Sequence, residues 1–95
     1  MLKAWVSEKD SAEIGNVRLH LLVYIQGYIL GHGYSPTVRE IRDVSGFAST
    51  NTVQYHLDRL IGMGLLTKVR GKARTLRVTD EAKKRVAFVW DNESE

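Results

Sequence analysis

The sequence predicts a mainly α fold with a small β-hairpin: a three-helix core, a two-stranded wing and an additional C-terminal helix. Three observations carry this. Residues 33–60 read as a capped short helix, a glycine turn and a second capped helix. Residues 65–78 then read as a two-stranded ribbon with a basic tip. A chain of 95 residues can bury one modest core, so a single domain spans residues 1–95.

Residues 1–16 mix Leu2, Ala4, Trp5 and Val6 with charged groups and close on Gly15-Asn16, the pattern of either a short helix or an arm. The core, 17–78, begins with a helix over 17–30, where Leu21, Leu22, Ile25, Tyr28 and Ile29 follow a helical stripe. A second apolar row, Leu19, Val23 and Leu30, lies on another side of the same helix. Either the Trp5 arm and the C-terminal helix cover that row, or another subunit does.

Gly31-His32-Gly33 stops the first helix, and Pro36 disfavours helix at the residue before it. Thr37 and Glu40 form a capping box, starting a second helix over 37–45 with Val38, Ile41 and Val44 facing inward. Gly46 makes the turn, Phe47 plugs the core, and Ser49 caps a third helix that ends at Gly64. Its stripe is Val53, Leu57, Leu60 and Ile61.

Segments 67–70 and 75–78 are the strands of the hairpin, joined across Gly71-Lys72-Ala73-Arg74. Thr79 caps a last helix over 79–90, with Asp80 and Glu81 in its first turn and Ala82, Val86, Val89 and Trp90 as its apolar face. This helix is a candidate for dimerisation. Residues 91–95 read as a frayed polar tail.

Composition limits the function. With 43% hydrophobic and 26% charged residues the chain is an ordinary globular protein. No apolar run reaches the roughly 18 to 20 residues of a membrane span, and the start lacks a signal peptide's apolar centre, so a cytoplasmic protein with no membrane contact is expected. The absence of cysteine excludes disulfides and thiolate zinc sites, and His20, His32 and His56 lack ligand spacing. No metal or cofactor is expected. No nucleophile, carboxylate pair or phosphate-cradling loop makes a catalytic pattern, so an enzyme is not expected.

Net charge is +3 and the pI near 9.4. The distribution of charge says more: Lys68, Arg70, Lys72, Arg74 and Arg77 on the hairpin, with Lys83, Lys84 and Arg85 after it, face only Asp80 and Glu81 in that stretch. A basic stripe beside a polar helix is an electrostatic footprint for nucleic acid.

The segments Gly33-Tyr-Ser-Pro-Thr-Val-Arg-Glu-Ile41, Gly46-Phe-Ala-Ser49, Thr52-Val53, His56-Leu57, Arg59-Leu60, Gly64-Leu-Leu66 and Arg74-Thr-Leu-Arg77-Val78 together resemble the DNA-binding domain of the LexA repressor family. The resemblance covers about residues 17–78. It implies a winged helix-turn-helix that binds a palindromic or pseudo-palindromic operator as a homodimer. Family members also carry a C-terminal peptidase-like domain with a serine and lysine dyad, an Ala-Gly cleavage bond and the main dimer contacts. None of these is recognisable in the 95 residues, so self-cleavage is not expected of this chain.

Carried over by position, the base-reading stretch falls on Ser49, Thr50, Asn51, Thr52, Gln54 and Tyr55. Gln54 and Tyr55 depart from the residues common in the family, so an operator of the SOS type is not expected. Asn51 and Gln54 can address adenine in a bidentate way, the methyl of Thr50 or Thr52 can touch a thymine methyl, and Tyr55 can lie along the groove or reach a phosphate. Arg39 and Arg42 on the second helix and Lys72 and Arg74 on the wing are candidate backbone contacts, although ordinary solvation explains Arg42 equally well. Arg77 has the alternative of pairing with a carboxylate. Asp58 is expected beyond the reach of DNA, and His56 is expected to be structural.

The expected function is therefore sequence-specific binding of double-stranded DNA by a transcriptional regulator, a repressor by resemblance. It would read the major groove with helix 49–63 and grip backbone or minor groove with wing 66–78. The rival reading is a winged-helix module that docks on another regulator or replication factor, and a third is sequence-neutral architectural binding.

Overall fold

The computed structural model describes residues 1–91, and the chain order within them is β1 (Leu2–Trp5), α1 (Glu8–Ile14), α2 (Asn16–His32), α3 (Val38–Ser45), α4 (Thr50–Gly62), β2 (Leu66–Thr67), β3 (Arg77–Val78), α5 (Asp80–Arg85) and β4 (Ala87–Trp90). From residue 92 on, the expected polar tail lies outside the described residues. No described helix is long and apolar enough to cross a membrane.

Helices α2, α3 and α4 form the expected core. Leu22, Ile25, Ile41, Val53, Leu57 and Leu60 are fully buried at its centre, closed from the wing side by Leu65, Leu66, Leu76 and Val78. The capping box on α3 is complete: Glu40 N–H donates to Thr37 Oγ1 at 3.1 Å, and Thr37 N–H donates to Glu40 Oε1 at 2.9 Å. Gly46 ends α3 at φ +75°, a left-handed conformation that a side chain disfavours. Ser49 caps α4 by accepting from Thr52 N–H.

Val44 does not face inward as expected; it is 64% exposed. Steps of three residues fall about 60° short of a full helical turn, so the row Val38, Ile41, Val44 rotates off the core face by its third member. Ile61 is half-buried at the margin of the core, and Phe47 packs against the core without being enclosed.

The last helix is the larger correction. It stops at Arg85, Val86 is extended (φ −127°, ψ 116°), and residues 87–90 form a strand instead of a further helical turn. Ala-Phe-Val-Trp is aromatic and β-branched, and β1 offers it an edge: Leu2 faces Trp90, Lys3 faces Val89, Ala4 faces Phe88 and Trp5 faces Ala87 in an antiparallel ribbon. The arm of residues 1–16 is therefore a strand followed by a short helix. It settles most of the second apolar row on α2: Leu2 packs over Gly27, and Leu19 is buried, while Leu30 stays 53% exposed. Arg85 ties the two ends together, donating from Nε to Asp10 at 2.7 Å and from Nη2 to Glu13.

The hairpin is shorter in strand than expected. Only Leu66–Val78 and Thr67–Arg77 pair, and residues 68–76 form a loop braced by Thr75, whose hydroxyl accepts from Val69 N–H at 3.0 Å and lies 3.0 Å from the Lys72 carbonyl.

Candidate nucleic-acid interface

The residues expected to read bases occupy the first turns of α4, and they do not share one environment. Asn51 is exposed and Tyr55 is 56% exposed, whereas Thr50, Thr52 and Gln54 are half-buried. Ser49 is committed to its cap, with its oxygen 3.4 Å from Thr52 Oγ1. Gln54 donates to Asp58 Oδ1 at 2.9 Å, so it must exchange that partner to meet a base. Tyr55 rests its ring against the Arg18 guanidinium at 5.8 Å and against the edge of His56.

His56 sits as expected against the core, stacked on Phe47 with centroids 5.4 Å apart. Its Nδ1 is buried with no hydrogen-bond partner among the described residues. Burial, reinforced by the charge on Arg18, holds the imidazole pKa below its ordinary value, because the charged form would lose water without gaining a partner.

Arg39, Gln54 and Lys72 line one cleft of about 410 Å³ between the wing, the start of α3 and the middle of α4, with Lys68 and Arg74 also on its wall. Of the residues expected to read bases, Gln54 lines this cleft, and there it meets the wing and α3. Lys68, Arg70 and Lys72 are exposed, as is Arg39. Arg42 turns instead to its neighbour Asp43, its Nε and Nη2 donating to Oδ1 at 3.1 and 3.0 Å.

Arg74 departs most from expectation. It does not reach outward from the wing tip. Its Nη2 donates to Glu40 Oε2 at 2.8 Å, and its Nη1 lies within 3.1 to 3.3 Å of Glu40 Oε1, Tyr28 Oη and the Ser35 carbonyl. The guanidinium also lies 5.0 Å from the centre of the Tyr34 ring. Glu40, already the closing half of a capping box, thus receives a second cationic partner. The Arg74 guanidinium, helped by the Thr37 amide, draws its carboxyl down to about 2.

Sequence reasoning identified Glu40 as a cap and missed this second role. It also missed the cluster around it: Tyr28 stacks on His32 at 3.9 Å, with Tyr34 edge-on to Tyr28. Ser35 is buried between them and the wing, where its Oγ accepts from Leu76 N–H at 2.9 Å. Two links, Arg74 to Glu40 and Leu76 to Ser35, thereby fasten the descending limb of the wing to the start of α3 and to the turn before it.

Residues 14–75 match the family described as LexA DNA binding domain. Similar proteins include the LexA repressor of Limosilactobacillus reuteri (strain DSM 20016), 45% identical over 64 residues, which are 67% of this chain and 31% of that protein. The LexA repressor of Lactobacillus helveticus (strain DPC 4571) is 45% identical over 71 residues, 75% of this chain and 34% of its own length. That of Pediococcus pentosaceus is 46% identical over 66 residues, 70% of this chain and 32% of its own. The chain thus spans about a third of the length of these relatives.

Proposed function

The chain belongs to the LexA DNA binding domain family, and on that premise we propose that it is a transcriptional repressor whose α4 enters the major groove of a palindromic or pseudo-palindromic operator, bound as a homodimer. The observation that carries this reading is the cleft in which Gln54 of α4 meets Arg39 of α3 and Lys72 of the wing, which supports a common approach of helix and wing to one duplex. Asn51, exposed on the first turn of α4, is assigned the bidentate contact to adenine. Thr50 and Thr52 are assigned methyl contacts, and Ser49 orients the helix start through its cap.

Lys72, with Lys68 and Arg70 beside it, is assigned the phosphate contacts of the wing, and Arg39 those of α3. Arg42 is assigned a lesser share, since binding would draw it from Asp43. Arg74 holds the wing. That most of the wing's cations point to solvent while only Arg74 turns inward favours DNA over a docking role for the wing.

Selection of bound sites from a random duplex pool tests the proposal. A palindromic consensus is the expected outcome, with log affinity falling against log salt at about 0.9 per phosphate over roughly four to six phosphates per subunit. A pool that yields no consensus, or an isotherm indifferent to salt, refutes it.

A further inference from the structure

Both tryptophans of the chain lie exposed on the β1–β4 ribbon, Trp5 at 67% and Trp90 at 54%. In an antiparallel ladder directly opposed residues share a face, so Lys3, Trp5, Ala87 and Val89 form the outer face of the ribbon while Leu2, Ala4 and Phe88 turn toward α2. Trp90 is opposed to Leu2 by register, yet at the open end of the ribbon it is exposed, and together with Trp5, Val89, Lys3 and Asp91 it lines a cleft of about 210 Å³. No residue of α4 or of the wing takes part.

We infer that this outer face is the contact between two copies of the chain, packed ribbon on ribbon about a twofold axis, an inference that rests on the proposed dimeric binding and supplies its interface. Charge favours a second copy. Lys3 and Asp91 pair with each other at 2.8 Å, so the patch is close to neutral and meets its own image without the repulsion that the basic side of the molecule would suffer.

Area favours it too. The exposed parts of two indoles contribute roughly 300 Å² per subunit, and Val89, Ala87 and the Lys3 stem raise this to about 450 Å². Doubled across the axis it comes to about 900 Å², at the low end for specific contacts, as befits a pair that is weak in solution and completed when two half-sites hold the subunits together. The DNA side stays free because the ribbon contains none of it.

Sedimentation equilibrium of the full chain from about 1 μM to about 1 mM, followed in parallel by intrinsic fluorescence, tests the inference. Both indoles of the chain line that cleft, so emission reports on it. The expected result is a monomer–dimer equilibrium with emission moving to the blue as dimer forms. Trp5→Lys weakens the association roughly 100-fold while circular dichroism, thermal midpoint and binding to a half-site duplex are retained. Should that variant fold poorly, Val89→Lys takes its place with the same expectation. A wild type that stays monomeric across the range, or variants that dimerise as it does, overturns the inference. Loss of duplex binding in a wild type that still dimerises would instead remove the DNA reading and leave the interface standing.

Discussion

Arg74, on the descending limb of the wing, and Glu40, in the first turn of α3, meet through two near-parallel hydrogen bonds of 2.8 and 3.1 Å. A bidentate guanidinium–carboxylate pair fixes orientation as well as distance, so it sets where the exposed Lys68, Arg70 and Lys72 stand relative to α4. Removing the carboxylate separates two roles for Arg74. If the arginine positions the wing, Glu40→Gln loosens the loop and weakens operator binding roughly three- to tenfold, despite removing a negative charge beside DNA. If the arginine grips phosphate itself, the same change frees it and strengthens binding. Fluorescence anisotropy on one operator decides between them, and Arg74→Lys, which keeps the charge and loses the fork, is expected to follow Glu40→Gln.

The same pair has an acid limit. A carboxyl drawn from 4.5 down to about 2 by its partners stabilises the fold fully above pH 4.5, and that contribution is lost as pH falls toward 2. Amide exchange at Leu76 and Val69 followed by NMR is therefore expected to stay protected to about pH 3 and to open below it. Opening near the ordinary pH of a free glutamate would show that the Arg74 contact is not formed in solution.

Much of this was legible in the residues. Thr37 and Glu40 announce a capping box by their spacing alone, and Val53, Leu57 and Leu60 announce the buried stripe of α4, because both depend only on contacts within one helix. Residues 87–90 were not legible in the same way. Their apolar spacing continues that of Ala82 and Val86, and only pairing with β1, more than eighty residues away in sequence, makes them a strand. The alternation of Leu2 and Ala4 with Lys3 and Trp5 was the available signal, four residues long and easily lost beside the charges that follow. Arg74 was misplaced for a related reason: its partners come from α2, the turn after it and α3, and spacing along the wing carries no trace of them.

His56 makes stability depend on pH in a different window. Its folded pKa lies below the ordinary 6.5, so the unfolded chain takes up a proton first as pH drops. The contribution is complete above that ordinary value and is lost as pH falls below it. The thermal midpoint is expected to drop by a few degrees between pH 7 and pH 5, ahead of any carboxylate effect. A His56→Phe variant, which keeps a ring against Phe47 and cannot be protonated, is expected to flatten that part of the profile; an unchanged slope would assign the effect elsewhere.

Gly27 lies inside α2 beneath Leu2, and a methyl built there would stand 3.7 Å from Leu2 Cδ2, an ordinary contact. Glycine in a helix interior costs about 1 kcal/mol relative to alanine, so Gly27→Ala is expected to stabilise the protein by roughly 0.5 to 1 kcal/mol. Leu2→Ala, which removes the side chain from the other side of the same contact, is expected to destabilise it by about 2 kcal/mol. Denaturant melts measure both. A destabilised Gly27→Ala would mean that β1 lies closer to α2 than this packing allows.

Specificity and grip are expected to separate by residue. Asn51 offers paired donor and acceptor from the exposed first turn of α4, and a good bidentate base contact discriminates by about 1 to 3 kcal/mol. Asn51→Ala should therefore weaken the selected operator roughly ten- to hundredfold while leaving random duplex nearly untouched. Lys72 meets phosphates, which every sequence has, so Lys72→Ala should weaken both duplexes alike and lower the salt slope by about 0.9. Competition titrations at several salt concentrations give both quantities. Equal losses on operator and random duplex for both variants would take the reading role from Asn51, and an unchanged slope in Lys72→Ala would take the phosphate contact from the wing tip.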